Sequence, residues 1–221
     1  AGRFEDALKE YNLAALIKPE LWLSHYKSGV ALNYLTRLDE AETAFLKAEE
    51  LQPENGSTYH FLGIISLAKD KNKEAENWLL KAAELDGVSA DVWFHLGEAQ
   101  MRLGQWKNAE KSLLQSYNLD SYNAESLYSL GQVYKKRGKL DKSLEYLNKF
   151  KEIEEFGRKT ESLNKIIRLH PDDLTLRLEL ATLYEDQKRI DQAVMILHQA
   201  AYLGSMEAEK KLKILLEKNH P

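Results

Sequence analysis

The chain has 221 residues, enough for one or two domains, with 43% apolar and 30% charged residues and only four prolines and eleven glycines, which excludes a disordered, collagen-like or Pro-rich segment. Its 31 basic and 35 acidic residues leave a net charge of −4, so bulk basicity does not point to nucleic acid. Cysteine is absent, which removes disulfides, thiolate zinc sites and a cysteine nucleophile at once.

From the start of the chain, Gly2, Ala7, Tyr11, Ala14 and Pro19 read as the second helix of a helix pair, so residues 1–21 are expected to be a truncated repeat. Gly29, Gly63, Gly97 and Gly131 then recur at a step of 34 residues; Ala41, Ala75, Ala109 and Ser143 keep the same step, as do Pro19, Pro53 and Gly87. Each unit reads as two helices. Trp93, Leu96, Gly97 and Gln100 share one helix face; Gly104 interrupts; Ala109, Leu113 and Ser116 make a second stripe. Four units follow at 22–55, 56–89, 90–123 and 124–157. A glycine inside a helix costs roughly 1 kcal/mol against alanine. Its recurrence therefore implies close approach of the second helix, with Ala41, Ala75 or Ala109 expected opposite.

After Gly131 the frame breaks. The step from Gly131 to Ala181 is 50 residues, and residues 155–171, with Leu163, Ile166, Ile167 and Leu169, read as a second helix without its partner. Two explanations stay open: a real half-repeat, or one helix missing between residues 150 and 160. Register returns in a unit at 172–205, and 206–221 reads as a capping helix studded with Lys210, Lys211, Lys213 and Lys218.

Trp93-x-x-Leu96-Gly97, Gly104, Ala109 and Tyr134 resemble the tetratricopeptide repeat, and Ala200 to Ala208 is similar to the Sel1-like repeat. The resemblance implies an all-α fold, an α-solenoid of stacked antiparallel helix pairs whose first helices line a concave groove. It also implies a non-enzymatic module that binds a protein, peptide or partner helix. Positions facing the groove would include Tyr26, Lys27, Asn33, Tyr34, His60, Phe61, Ile64, Phe94, His95, Glu98, Met101, Arg102, Tyr128 and Gln132. The chaperone-type carboxylate clamp is not matched, since Tyr26 and Val30 stand where Lys and Asn are needed. Nor is an asparagine ladder, whose column reads Lys27, Phe61, His95, Ser129 and Glu179.

No GxSxG, phosphate loop, HExxH or other catalytic motif occurs, and no metal or cofactor is expected. His25, His60 and His95 recur at 35 residues, a step that should carry each to a different face position of a 34-residue repeat. Lys135-Lys136-Arg137-Gly138-Lys139 is the one basic run, and it reads as a helix end rather than a nucleic-acid patch. The longest apolar stretch, residues 61–68, is shorter than the ~18 residues of a membrane span, so no membrane insertion is expected. Cytosol is the favoured compartment and periplasm the alternative. Two further readings accompany the groove: a regulatory segment of a larger enzyme, and a scaffold that self-associates through its open N-terminal half-repeat.

Overall fold

A computed structural model describes residues 2–219; His220 and Pro221, at the end of the expected capping segment, lie outside the described residues. Twelve helices and no strands occur among the described residues. They are α1 (Gly2–Ile17), α2 (Trp22–Tyr34), α3 (Leu38–Leu51), α4 (Gly56–Ala68), α5 (Asn72–Leu85), α6 (Ala90–Arg102), α7 (Trp106–Leu119), α8 (Ala124–Lys136), α9 (Leu140–Leu169), α10 (Leu174–Asp186), α11 (Ile190–Tyr202) and α12 (Met206–Asn219). The chain forms two compact units, Ala1–Phe150 and Lys151–Pro221.

In the first unit the 34-residue period is visible at the starts of α4, α6 and α8 and at the turns within pairs. Helix starts are capped in register: the Asn55 side chain accepts from the Thr58 N–H (2.8 Å), Ser89 from Val92 (3.4 Å) and Asn123 from Ser126 (2.7 Å). The turn between paired helices needs one residue in the left-handed region, and Thr36, Asp70, Gly104 and Gly138 supply it at the same step. Each such turn is closed by a six-to-one backbone bond, as from Arg37 N to Leu32 O and from Lys71 N to Ser66 O (both 2.9 Å).

The glycine column brings the paired helices close, but alanine is not what fills the space. A Cβ on Gly63 would lie 2.5 Å from Leu79 Cγ, one on Gly97 2.6 Å from Leu113 Cγ, and one on Gly131 2.6 Å from Leu147 Cγ. On Gly29 it would meet the Phe45 ring at 2.9 Å. The residue opposite is thus the large one a turn beyond the small one, and Ala41, Ala75 and Ala109 are buried beside it. A missing side chain on the first helix accommodates a whole leucine or phenylalanine from the second, which a small-to-small contact would not require.

Neighbouring repeats are tied by ion pairs at a common position. Lys69 at the end of α4 reaches Glu42 on α3 (2.6 Å), and Arg137, two repeats on, pairs with Glu110 on α7. The basic run at 135–139 is absorbed in the same way. Lys139 lies 3.5 Å from Glu110 and over the Tyr134 ring, and Lys136 lies over Trp106.

The interrupted frame is carried by a continuous helix. The second helix of the fourth unit and the half-repeat are one 30-residue helix, α9. No proline interrupts it, and an added Cβ at Gly157 meets nothing within 4 Å. Ion pairs one turn apart (Lys149–Glu145 and Lys159–Glu155, both 2.7 Å) support the helix on either side of the expected boundary. In the second unit Leu163, Leu180, Ala181, Ala193, Leu197, Ala200 and Leu215 form a separate core.

Candidate functional site

Successive first helices α2, α4, α6 and α8 lie in contact side by side. Across α2, α4 and α6 their side chains build a continuous row of rings. Trp22 and Tyr26 stand 5.9 Å apart, Tyr26 and Phe61 6.0 Å, Phe61 and His60 6.2 Å, His60 and His95 5.0 Å, and His95 and Phe94 5.1 Å. The Lys27 ammonium lies 5.9 Å from the Tyr26 ring centre. These rings are half-buried rather than displayed: Phe61 stacks on the core ring of Phe45 at 5.0 Å, and Phe94 and Met101 pack against the core between α7 and α8. Ile64, Asn33 and Gln132 are half-buried too. Each aromatic therefore has one face committed to packing, and only the remainder can meet a partner.

The histidines meet, against the expectation that a 35-residue step separates them. His60 Nε2 lies 3.0 Å from His95 Nδ1. Adjacent first helices touch with position 5 of one against position 6 of the next, so one residue beyond the repeat length is the spacing that joins them. His95 Nδ1 also lies 2.8 Å from the Asp91 carbonyl oxygen, which can only accept. The proton is therefore on His95 Nδ1, shared between that carbonyl and the lone pair of His60 Nε2. A proton on His60 Nε2 would set N–H against N–H. Burial, and then the neighbouring His95, draw the His60 pKa down from 6.5 to about 4, opposed by Asp91. His25 stands apart, bonded to the Pro19 carbonyl oxygen (2.8 Å).

Glu98 and Arg102 are occupied with structure. Arg102 donates to the Leu67 carbonyl oxygen (2.8 Å) and to Glu98 (2.7 Å), and lies 3.4 Å from Asp70. This guanidinium clamps the end of α6 to the end of α4. At the margins, Tyr34 is 62% exposed and stacks on Phe4 of α1 at 4.6 Å, and Tyr128 is 48% exposed, 5.3 Å from Phe150. Among the described residues no group of three or more His, Cys, Asp or Glu side chains could hold a metal, and no helix is long and apolar enough to cross a membrane. Trp22, one of the four tryptophans that the sequence offers as possible ligand anchors, stands at the head of the row, four residues before Tyr26.

Antiparallel helix pairs at a constant 34-residue step, with first helices side by side, define a helical-repeat solenoid. The tetratricopeptide-repeat family profile matches residues 24–55, 90–123 and 124–156, so the chain carries tetratricopeptide repeats. No curated protein matches the sequence. Among solved structures, a crystal structure of MamA shares 23% identity at a TM-score of 0.67, covering 72% of this chain and 92% of that one. The portion of MamA from residue 41 onward, from Desulfovibrio magneticus RS-1, shares 22% at 0.65, covering 70% and 87%. YrrB, described as a TPR protein with an unusual peptide-binding site, shares 20% at 0.61, covering 94% and 100%. At these identities the likeness is one of fold.

Proposed function

We propose that the chain is a non-enzymatic protein-interaction module whose first-helix face in the first unit receives an apolar peptide or partner helix. The observation that carries this reading is the row of rings from Trp22 to Phe94. Half-buried aromatics held by their neighbours present rigid apolar area at little entropic cost, which is the character of binding hot spots. The peptide-binding site named for YrrB, a protein of the same fold, supports the class of partner. With Glu98 and Arg102 neutralising each other, recognition rests on ring faces and on the edges at Tyr26, Lys27, His60 and His95 rather than on a charge clamp.

The test selects peptides from a displayed library on the 221-residue protein and titrates the winners against variants. Replacing Phe61 and Phe94 together by Ala should weaken binding by ~2 kcal/mol or more. Lys107→Ala with Lys111→Ala, on a second helix, should be near neutral. Because Phe61 also packs on Phe45, Phe61→Leu with Phe94→Leu serves as a companion that keeps apolar volume but removes the rings. Normal binding by both folded ring variants, checked by circular dichroism, would place the partner elsewhere.

A further inference from the structure

The second unit contains an open groove of about 660 Å³ whose walls are Leu163 and Ile166 of α9 and Leu176 and Leu183 of α10, rimmed by Lys159, Glu179, Thr182 and Asp186. Its origin lies in the interrupted frame. In α4, α6 and α8, each preceded in the array by another first helix, the third and tenth positions are buried: Thr58 and Ile65, Val92 and Ala99, Ser126 and Val133. In α10 the same positions are Leu176 and Leu183, and both are only half-buried. The chain between α8 and α10 holds no first helix, only α9. In α2 the same positions carry Ser24 and Ala31, small residues, and both are buried. Two leucines at these positions call for a covering helix that the local sequence omits.

The register of the first unit says how such a helix would lie. Arg102 at the end of α6 reaches the Leu67 carbonyl oxygen at the end of α4, and His95 in the sixth position meets His60 in the fifth, so neighbouring first helices run parallel with their ends level. On α10 the corresponding sixth and thirteenth positions are Glu179 and Asp186, both exposed. Neither has a cation within 4 Å among the described residues, whereas Lys159 on the opposite rim is paired with Glu155 at 2.7 Å. Lys211 of α12 donates to the Thr182 hydroxyl (3.3 Å) and is itself shared with Glu207 (3.9 Å), so on the α10 rim two carboxylates stand against one shared cation and the balance is negative. We infer that this groove docks an amphipathic α-helix supplied by a partner, parallel to α10, with an apolar stripe on Leu176 and Leu183 and a basic last turn beside Asp186. The site is separate from the ring row of the first unit and does not depend on that reading.

The probe is a helix-stabilised, fluorescently labelled synthetic peptide with the sequence of residues 124–137, a first helix that ends in Lys135, Lys136 and Arg137. Anisotropy titration with the whole 221-residue chain should show saturable binding. Thr182→Lys, an exposed substitution that fills the groove, and Asp186→Lys should each weaken it by about tenfold, the ratio equivalent to ~1.4 kcal/mol. A second peptide with Glu in place of Lys135 and Lys136 should prefer the Asp186→Lys protein to the wild type. The Phe61→Ala, Phe94→Ala protein should bind the probe normally, which separates this site from the first. Absence of saturable binding, or binding that Thr182→Lys leaves unchanged, overturns the docking site. A charge-reversed peptide with no altered preference overturns the basic helix as its occupant.

Discussion

His60 is half-buried, and that burial displaces its titration well below the ordinary histidine range. Its ring is held between α4 and α6, and its Nε2 is an acceptor of a proton that His95 already shares with Asp91. Protonation therefore costs both desolvation and the hydrogen bond. With a folded-state pKa of about 4 against 6.5 in the unfolded chain, the unfolded state binds more protons throughout that interval. Stability from this residue is thus full above pH 6.5, declines as pH falls toward 4, and is gone below it. The shift corresponds to roughly 3 kcal/mol. Denaturant midpoints for the wild type should fall between pH 6.5 and 4 more steeply than those of His60→Gln, which cannot titrate. Paired carboxylates such as Glu42, held below their usual range by Lys69, lose their contribution at lower pH and do so in both proteins, so the difference isolates the histidine. Parallel curves for the two proteins would show that His60 is not the titrating group.

The helix pair with its turn is the element the array repeats, and the turn holds residues ill suited to it. Gly104 (φ 69°) and Gly138 (φ 74°) occupy the left-handed position without a Cβ penalty, whereas Thr36 (φ 59°) holds it with a β-branched side chain. The left-handed conformation costs a non-glycine residue roughly 1–2 kcal/mol, partly offset by the greater freedom of unfolded glycine. Thr36→Gly should accordingly stabilise the first helix pair by about 0.5–1 kcal/mol, read as a higher denaturation midpoint; an unchanged or lower midpoint would mean that the Thr36 hydroxyl, 2.7 Å from the Leu35 carbonyl oxygen, supplies more than the backbone strain removes. That turn also shows where sequence was legible. Small residues at a fixed step reveal the period because only they permit the close helix contact, but Thr36 and Asp70 give no turn signal; the six-to-one bond imposes their conformation. The glycine column likewise betrays a close approach without naming Phe45 or Leu113 as what enters it. In α9 continuity is a matter of what is absent, since a lone Gly157 without proline does not stop a helix whose neighbours support it. The ring row was readable as positions, Tyr26, Phe61 and Phe94 included, while the packing of Phe61 on Phe45 belongs to side-chain orientation, which periodicity does not encode.

At the scale of the whole molecule, cohesion is a nearest-neighbour property within each unit. The cores of the first unit each span helices of adjacent repeats: one joins Leu79 and Ala82 of α5 to Val92 and Leu96 of α6, and another joins Leu113 of α7 to Leu130 and Val133 of α8. The core of the second unit draws on residues from Leu163 onward and shares none of these side chains. Stability in such an array is the sum of repeat and interface terms, so damage to one repeat propagates to those it touches and fades beyond them. Gly97→Leu is the sharpest probe, because Leu113 Cγ already occupies the place of the new Cβ and both helices belong to buried interfaces. Overpacking of this kind costs roughly 1–3 kcal/mol. Hydrogen exchange should accelerate in α6 and α7, to a lesser extent in α5 and α8, and remain at its wild-type rate in α10 to α12. Acceleration confined to a few amides around Gly97 would mean that the repeats are not coupled through these cores. Uniform acceleration from α2 to α12 would mean that the two units unfold as one, and that their separate cores do not set the limits of cooperativity.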